Sequence, residues 1–268
     1  MPPLTYNYDR ERIQVIDTHF HADTRPYEDF EAMRIAGVTD IVTLAHDPMK
    51  MSTADVFADH FDRLFAEKDR VGKNGIKLHV CLGIHPRLRP RDVGACFDML
   101  EKYLAEKKGS IIAIGEAGLE TRDPFEVDVL QRQIEIAMTY DLPIIIHTPR
   151  SGKVMMTKEA INVLSTYSIK KDRVVIDHAD ADTVKLILNR GYNAGLTVQP
   201  SKLAPRQAVE IIEKYDAGML LLNTDASSSP TDVLGVPRTV HLLRLNGIDE
   251  GIVANVSEVN ARRVFGIR

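Results

Sequence analysis

The chain has 268 residues, of which 44% are hydrophobic and 27% are charged, and its formal net charge is -4. This composition is ordinary for a globular protein, and it excludes a disordered, collagen-like or coiled-coil chain as a description of the whole. The acidic balance argues against a strongly basic nucleic-acid coat, but it is compatible with an enzyme that has a local basic rim. Two cysteines, Cys81 and Cys96, are too few for a disulfide scaffold or a cysteine-rich zinc module.

Neither a targeting segment nor a membrane span is visible in the sequence. The N-terminal stretch MPPLTYNYDRERIQ has no apolar core, so we expect no secretory signal. No stretch approaches the roughly 18 consecutive apolar residues of a membrane span. We therefore expect a cytoplasmic protein with no membrane partner. Because no linker or composition break divides the chain, residues 1–268 are predicted to form a single domain.

Eight short, β-branched apolar segments recur along the chain. They begin at Val15, Ile41, Leu78, Ile111, Pro143, Val174, Tyr192 and Met219. Their nearly continuous hydrophobicity is typical of parallel strands that are covered on both faces, and apolar residues at helical spacing lie between them. This alternation predicts an α/β protein, a (β/α)8 TIM barrel, with an additional C-terminal helix over residues 250–265. The alternative is an open doubly wound sheet, which the strand count and the lack of a glycine-rich phosphate turn disfavour.

Side chains of types that bind divalent metals end most of these segments. They are the pair His19 and His21, followed by His85, Glu116, His147, His178 and Asp225. The carboxyl ends of barrel strands meet on one face, so these side chains are expected to converge at the barrel mouth. A lone histidine at a strand end is usually structural. Several imidazoles buried together without a metal would leave many nitrogens unsatisfied, so the set predicts a metal site.

Seven motifs that occur in order carry a family resemblance over residues 15–266. They are IDTHFHAD, LGIHP, IGEAGLE, PIIIHTPR, VIDHAD, LLNTDAS and NARRVFG. Together they resemble the TatD-like metal-dependent hydrolases of the amidohydrolase superfamily. The resemblance implies a TIM barrel with a mono- or dinuclear divalent metal centre and hydrolytic activity. Several members of that family are nucleases that act on DNA ends.

The same resemblance implies a role for each of six metal ligands. One metal would be held by His19, His21 and Asp225, a second by His147 and His178, and Glu116 would bridge the two. Asp225 and Glu116 are then the expected catalytic residues, with Asp225 accepting the proton of the attacking water. A mixture of imidazoles and carboxylates suits Zn²⁺ best, and Mn²⁺ or Mg²⁺ are alternatives.

Two further residues are candidate substrate contacts. His85 in GIHP either touches the substrate, supports a metal ligand, or is structural. Arg150 in HTPR either binds a phosphate oxygen or is a solvated loop charge. Other arginines near the predicted mouth, among them Arg25, Arg87 and Arg122, are expected to be solvated loop charges.

Four segments depart from the family pattern, so the sequence does not identify the substrate. They comprise Gly118-Leu119-Glu120, Ala179-Asp180-Ala181-Asp182, Val198-Gln199-Pro200 and Leu222-Asn223-Thr224. Aromatic residues make up only 6% of the chain and tryptophan is missing, which weighs against extended stacking on single strands.

Three classes of function follow from these residues. The first is a metal-dependent phosphodiesterase or deoxyribonuclease that acts on a small molecule or a DNA end, without a stable nucleic-acid complex. The second is a metallohydrolase that acts on a small lactone, amide or cyclic imide, with a deaminase as a more distant alternative. The third is a non-enzyme that keeps a structural metal. The sequence carries no signal for an oligomeric state.

Overall fold

The structure is a computed structural model that describes residues 14–268. Residues 1–13, which contain most of the segment predicted to lack a secretory signal, lie outside the described part. Eight strands form the sheet: β1 (Val15–Phe20), β2 (Val38–Leu44), β3 (Lys77–Leu82), β4 (Ile111–Gly118), β5 (Ile144–His147), β6 (Val174–Ile176), β7 (Asn193–Thr197) and β8 (Leu220–Asn223). All seven consecutive pairs are parallel.

A helix follows each strand. The helices are α1 (Tyr27–Ile35), α2 (Ala54–Gly72), α3 (Val93–Glu106), α4 (Pro124–Thr139), α5 (Lys153–Ser165), α6 (Val184–Leu188), α7 (Pro205–Lys214) and α8 (Gly235–Leu245). The chain ends in α9 (Glu250–Ala254), a π-helical turn (Asn255–Val259) and α10 (Asn260–Phe265). Because residues 250–265 are helical throughout, the prediction of an additional C-terminal helix is confirmed.

The sheet curls until its first and last strands meet. Phe20 and Ala226 form a parallel bridge. The Asp225 amide donates to the His19 carbonyl at 2.8 Å, and the His21 amide donates to the Ala226 carbonyl at 3.0 Å. The predicted (β/α)8 barrel is therefore confirmed, and the open doubly wound sheet is wrong.

The strands are buried on both faces, as their continuous hydrophobicity predicts. The outer face packs against the helices. The inner face contributes a separate cluster: Ile16, Val42, Leu44, Cys81, Ala113, Ile145, Val175 and Leu221. Val264 and Phe265 of α10 join this inner cluster, as does Ile267 just beyond the helix, and together they cover one end of the barrel. Asn260 anchors that helix by donating from Nδ2 to the carbonyls of Ala217 and Leu220, at 2.7 and 2.8 Å.

Within residues 14–268, none of the helices is long and apolar enough to cross a membrane.

The C-terminal helix should contribute strongly to stability through Phe265, whose exposed fraction is 5%. We expect Phe265→Ala to lower the free energy of unfolding by about 3 kcal/mol or more, because it leaves a cavity against the barrel interior. Urea unfolding followed by circular dichroism measures the change. Val259→Ala is the matched control, since Val259 is 47% exposed on the same C-terminal segment. Equal losses from the two variants would contradict the packing role.

Candidate metal centre

Seven side chains of types that bind divalent metals meet at the carboxyl end of the barrel, although they lie up to 206 positions apart in the chain. They are His19, His21, His85, Glu116, His147, His178 and Asp225, and all seven are buried or nearly so. Two of them follow strands β6 and β8 in the left-handed region of backbone conformation, with φ of 62° at His178 and 47° at Asp225. Such values are uncommon for residues other than glycine and often accompany functional sites.

One group of ligand atoms surrounds the two histidines of the first strand. The His19 Nε2 atom lies 3.3 Å from His21 Nε2, 3.3 Å from Glu116 Oε2 and 3.5 Å from Asp225 Oδ1. The His21 Nε2 atom lies 3.0 Å from Asp225 Oδ1 and 3.7 Å from Glu116 Oε2. Four ligands at 2.0–2.1 Å from a tetrahedral zinc ion would stand about 3.3 Å apart. The spacing of these atoms therefore fits a small divalent cation.

The tautomers of His19 and His21 also suit a cation near their Nε2 atoms. The His19 Nδ1 atom lies 2.6 Å from Asp177 Oδ2, and the His21 Nδ1 atom lies 3.2 Å from the Leu44 carbonyl. Both partners are acceptors, so Nδ1 carries the proton in each neutral ring and Nε2 carries the lone pair. Two nitrogen lone pairs that face each other at 3.3 Å repel unless a proton or a metal cation lies between them. Carboxylate or carbonyl support at Nδ1 is usual for metal-binding histidines.

A second group surrounds the other oxygen of Glu116. Its Oε1 atom lies 2.6 Å from His147 Nδ1, 3.5 Å from His178 Nε2 and 3.6 Å from His85 Nε2. The Nε2 atom of His178 is buried without a hydrogen-bond partner, while its Nδ1 lies 2.8 Å from Thr197 Oγ1. The unpartnered nitrogen is what an imidazole ligand presents to a metal. Glu116 therefore stands between both groups, with one oxygen facing each.

Both central carboxylates are held in their charged form. Burial raises the pKa of Glu116, but the charges of His19, His85 and His147 outweigh it and place the pKa well below its usual range. Burial also raises the pKa of Asp225, and the Lys202 ammonium together with His19 more than offsets that effect. The site thus presents anionic oxygens beside imidazole nitrogens, which is the donor chemistry that Zn²⁺ prefers.

Glu120 lies at the site, although the sequence showed it only as a departure from the family pattern. Its Oε2 atom lies 2.8 Å from His147 Nε2, and its Oε1 accepts from Arg87 Nε at 2.9 Å. Burial raises the pKa of Glu120, but hydrogen bonds with His147 and Arg87 lower it to about 2. His147 therefore has a carboxylate at each ring nitrogen.

The structure places the two candidate substrate contacts differently. His85 is buried and lies against the second ligand group, and its ring centroid is 4.9 Å from that of His147. Arg150 is exposed beside the mouth and, among residues 14–268, makes no hydrogen bond or ion pair. Several neighbouring arginines are already paired: Arg25 with Asp29, Arg87 with Asp47 and Glu120, Arg89 with Glu126, and Arg122 with Glu159.

A third cluster borders the site behind His21. The ring of His46 lies 4.2 Å from the ring of His21, and its Nε2 lies 3.1 Å from Asp23 Oδ1. The Nε2 of His60 accepts a hydrogen bond from the His46 amide at 3.3 Å, so its Nδ1 carries the proton in the neutral ring. His60 is thus committed to hydrogen bonding, and we assign this cluster to support of the His21 side.

The match to known proteins covers nearly the whole barrel. Residues 16–266 match the family described as TatD related DNase. The chain belongs to this family. It is thereby a metal-dependent hydrolase, as the resemblance of its motifs predicted.

Some relatives of this TatD-family chain are named as deoxyribonucleases, and others only as metal-dependent hydrolases. An uncharacterized metal-dependent hydrolase of Methanocaldococcus jannaschii is 39% identical over 245 residues, which cover 90% of this chain and 96% of the relative. The human deoxyribonuclease TATDN3 is 24% identical over 286 residues, which cover 94% of this chain and 95% of the relative. The crystal structure of a TatD-like protein from Archaeoglobus fulgidus superimposes with a TM-score of 0.80 at 28% identity, covering 94% of this chain and all of that one.

Gly195 on β7 should be essential to the position of Asp177, and hence of His19. A Cβ atom at Gly195 would lie 1.5 Å from Asp177 Oδ1. We expect Gly195→Ala to displace that carboxylate and to weaken Zn²⁺ binding by about 10–100-fold, the usual effect of losing support behind a ligand. Competition with a chromophoric chelator measures the affinity, and circular dichroism checks the fold. Gly72→Ala is the control, since a Cβ there meets nothing within 4 Å. Zinc affinity equal in both variants would contradict the role of Asp177.

Acid should destabilise the protein partly through His60. Burial, together with the neighbouring His46, lowers the pKa of His60 from 6.5 to about 4. The unfolded chain therefore takes up this proton first, and stability falls as the pH drops from about 6.5 to 4. We expect His60→Gln, which keeps an acceptor, to lose less stability over this window than the wild type. Urea unfolding at pH 7, 5.5 and 4.5 in the presence of a chelator tests this, and parallel curves would contradict it.

Proposed function

We propose that this chain is a divalent-metal-dependent phosphodiesterase of the deoxyribonuclease type, which uses water to cleave phosphodiester bonds at DNA ends. The observation that supports the proposal most is the position of Glu116, with each carboxylate oxygen facing a separate group of imidazoles. This arrangement suits two adjacent cations, and paired cations stabilise the attacking and leaving oxygens of phosphoryl transfer.

The proposed ligands follow the two groups of atoms. His19, His21 and Asp225 would hold one ion, and His147 and His178 the other, with Glu116 shared between them. His85 lies at 3.6 Å from the shared carboxylate, where it supports the second group or meets the substrate. The excess of imidazole over carboxylate favours Zn²⁺ over Mg²⁺, which prefers oxygen ligands and retains several waters. One or two ions, of Zn²⁺ or alternatively Mn²⁺ or Mg²⁺, are compatible with this donor set.

The chemistry divides between the metal and the side chains. A divalent ion bound there supplies an acidified water and polarises the scissile phosphoryl group. Asp225 is the proposed general base, because it is ionised, its side chain is 14% exposed, and its second oxygen faces away from the histidine pair. Asp177 holds the His19 ring in its ligand tautomer. The apolar barrel interior below the ligands keeps bulk water on one side of the site only.

The rim offers a place for the rest of an anionic substrate. An open cavity of about 740 Å³ lies along the β5 and β6 side and is lined by Arg122, Arg150, Lys153 and Lys158, with Asp180 and Asp182 among its other residues. Lys153 donates from Nζ to the His178 carbonyl at 2.6 Å, so one lining residue of this cavity contacts the backbone of a proposed ligand. Phosphate groups that flank the scissile bond would be recognised by these cations.

The ion pairs of the other arginines at the rim support a second candidate function. Arg25, Arg87, Arg89 and Arg122 are each paired with a carboxylate, which leaves less free positive charge for a polyanion. This favours a small substrate over an extended strand. The candidate is a metallohydrolase that acts on a lactone, an amide or a cyclic imide at the same centre.

We expect the zinc- or manganese-loaded protein to trim an end-labelled DNA oligonucleotide. The Asp225→Asn variant should lose at least about 100-fold in rate, because the base is lost while the side chain keeps its size. Denaturing gel electrophoresis measures trimming, and excess chelator should abolish it. Phe265→Ala, which lies at the opposite end of the barrel, serves as a control for general destabilisation.

Intact trimming by fully metal-stripped protein would overturn the proposal. No trimming by a protein shown to contain metal, together with turnover of a lactone, an amide or a cyclic imide that Asp225→Asn abolishes, would replace it with the second candidate.

A further inference from the structure

Lys202 is a nearly buried ammonium group within contact of two proposed metal ligands. It lies in the loop between β7 and α7, and its side chain is 8% exposed. Its Nζ donates to Asp225 Oδ2 and lies 2.8 Å from His178 Nδ1. No sequence motif singled this residue out.

The loop that carries Lys202 is tightly bonded and aims the side chain at the site. The Lys202 amide donates to the Gln199 carbonyl at 3.0 Å, the Gln199 amide donates to the Leu203 carbonyl at 3.1 Å, and the Leu203 amide donates to the Thr197 carbonyl at 3.1 Å. A lysine side chain has four rotatable methylene bonds, so the ammonium can exchange partners while this backbone stays in place.

A hydrogen bond from Lys202 to His178 Nδ1 and metal binding through His178 Nε2 exclude each other. An ammonium group only donates, so a bond from Lys202 to His178 Nδ1 requires a lone pair there and puts the ring proton on Nε2. A ring that binds a metal through Nε2 must carry its proton on Nδ1, where Thr197 Oγ1 at 2.8 Å can accept it. That proton faces the ammonium. Ligation by His178 therefore requires Lys202 to leave Nδ1.

Charge repulsion between a bound divalent ion and the Lys202 ammonium would also move Lys202 away from these ligands. A divalent ion held by Asp225 would compete with the ammonium for the same carboxylate, and like charges a few ångströms apart repel strongly in a partly buried site. Two further cations lie on this side of the mouth. Lys153 contacts the His178 carbonyl, and Arg150 is exposed nearby. An anion placed here would relieve the repulsion.

We propose that Lys202 is a substrate-binding residue that exchanges the Asp225 carboxylate for a non-bridging phosphoryl oxygen of the substrate when divalent metal is bound. The ammonium then neutralises charge on the phosphoryl group. Asp225 Oδ2 loses its ammonium partner, keeps the hydrogen bond from Gln199 Nε2 at 3.2 Å, and becomes a better proton acceptor. This inference rests on the proposed phosphodiesterase function. It requires no covalent step of Lys202 itself.

The first test measures metal affinity without any substrate. We expect Lys202→Met to bind Zn²⁺ about tenfold more tightly than the wild type in chelator competition, because the competing charge is gone. Lys202→Arg keeps the charge and should stay within about threefold of the wild type. Lys185→Met, on the exposed face of α6, is the matched control and should not change. Zinc affinity in Lys202→Met that is equal to or weaker than that of the wild type would overturn the exchange.

The second test uses inorganic phosphate as the probe on zinc-loaded protein, with acetate as the comparison anion. We expect phosphate to stabilise the wild type against thermal unfolding more than acetate does. Lys202→Met should weaken phosphate binding about tenfold or more, Lys202→Arg should restore part of it, and Lys185→Met should match the wild type.

The outcomes separate this inference from the function on which it rests. Phosphate binding that Lys202→Met retains in full would overturn the role of Lys202 and leave the phosphodiesterase proposal standing. A zinc-loaded wild type that prefers acetate and trims no DNA would overturn the phosphodiesterase proposal, and with it phosphate as the partner of Lys202.

Discussion

The backbone contact between the first and last strands is the constraint on which the site depends. The hydrogen bond from the Asp225 amide to the His19 carbonyl joins positions at opposite ends of the chain. It places a carboxylate of the last strand beside the two imidazoles of the first. Without this closure the sheet would be open and His19 would have no Asp225. The same contact that completes the barrel therefore completes the first ligand group.

Burying so many polar groups together is costly unless each has a partner, and the structure supplies the partners by position. Asp177 and the Leu44 carbonyl satisfy the Nδ1 atoms of His19 and His21. Gly195 leaves room for Asp177, because any Cβ there would collide with it. The Nε2 atoms remain, and they face each other and two carboxylates. Hydrogen bonding within the protein accounts for the outward atoms of these rings, whereas the inward ones are the atoms that a bound cation would satisfy.

The two sides of the mouth differ in charge. The side formed after β5, β6 and β7 carries Arg150, Lys153 and Lys202 together with Asp180 and Asp182, whereas the side formed after β2 and β4 carries Asp47 and Glu120. The pairing of Arg87 with both Asp47 and Glu120 removes the main positive charge on the acidic side.

Much of the fold and of the candidate site could be predicted before the structure. The strands that begin at Val15, Ile111 and Val174 start at the predicted residues, because continuous apolar runs of β-branched residues have few other stable conformations. The prediction for β2 began at Ile41, whereas the strand begins three residues earlier, where Val38 pairs with Val15. Strand ends are less predictable because pairing with a neighbour, rather than local composition, sets them.

The sequence by itself determined the barrel and the residue types at its mouth, since both follow from local hydrophobic runs and from the side chain that ends each one. Only the tertiary structure decided which groups support and oppose those residues. Asp177 reaches His19 across 158 positions, and Glu120 reaches His147 across 27. Lys202 reaches Asp225 across 23, from a loop without a recognisable motif. Contacts of this kind depend on which strands lie side by side, and no local sequence pattern predicts that arrangement.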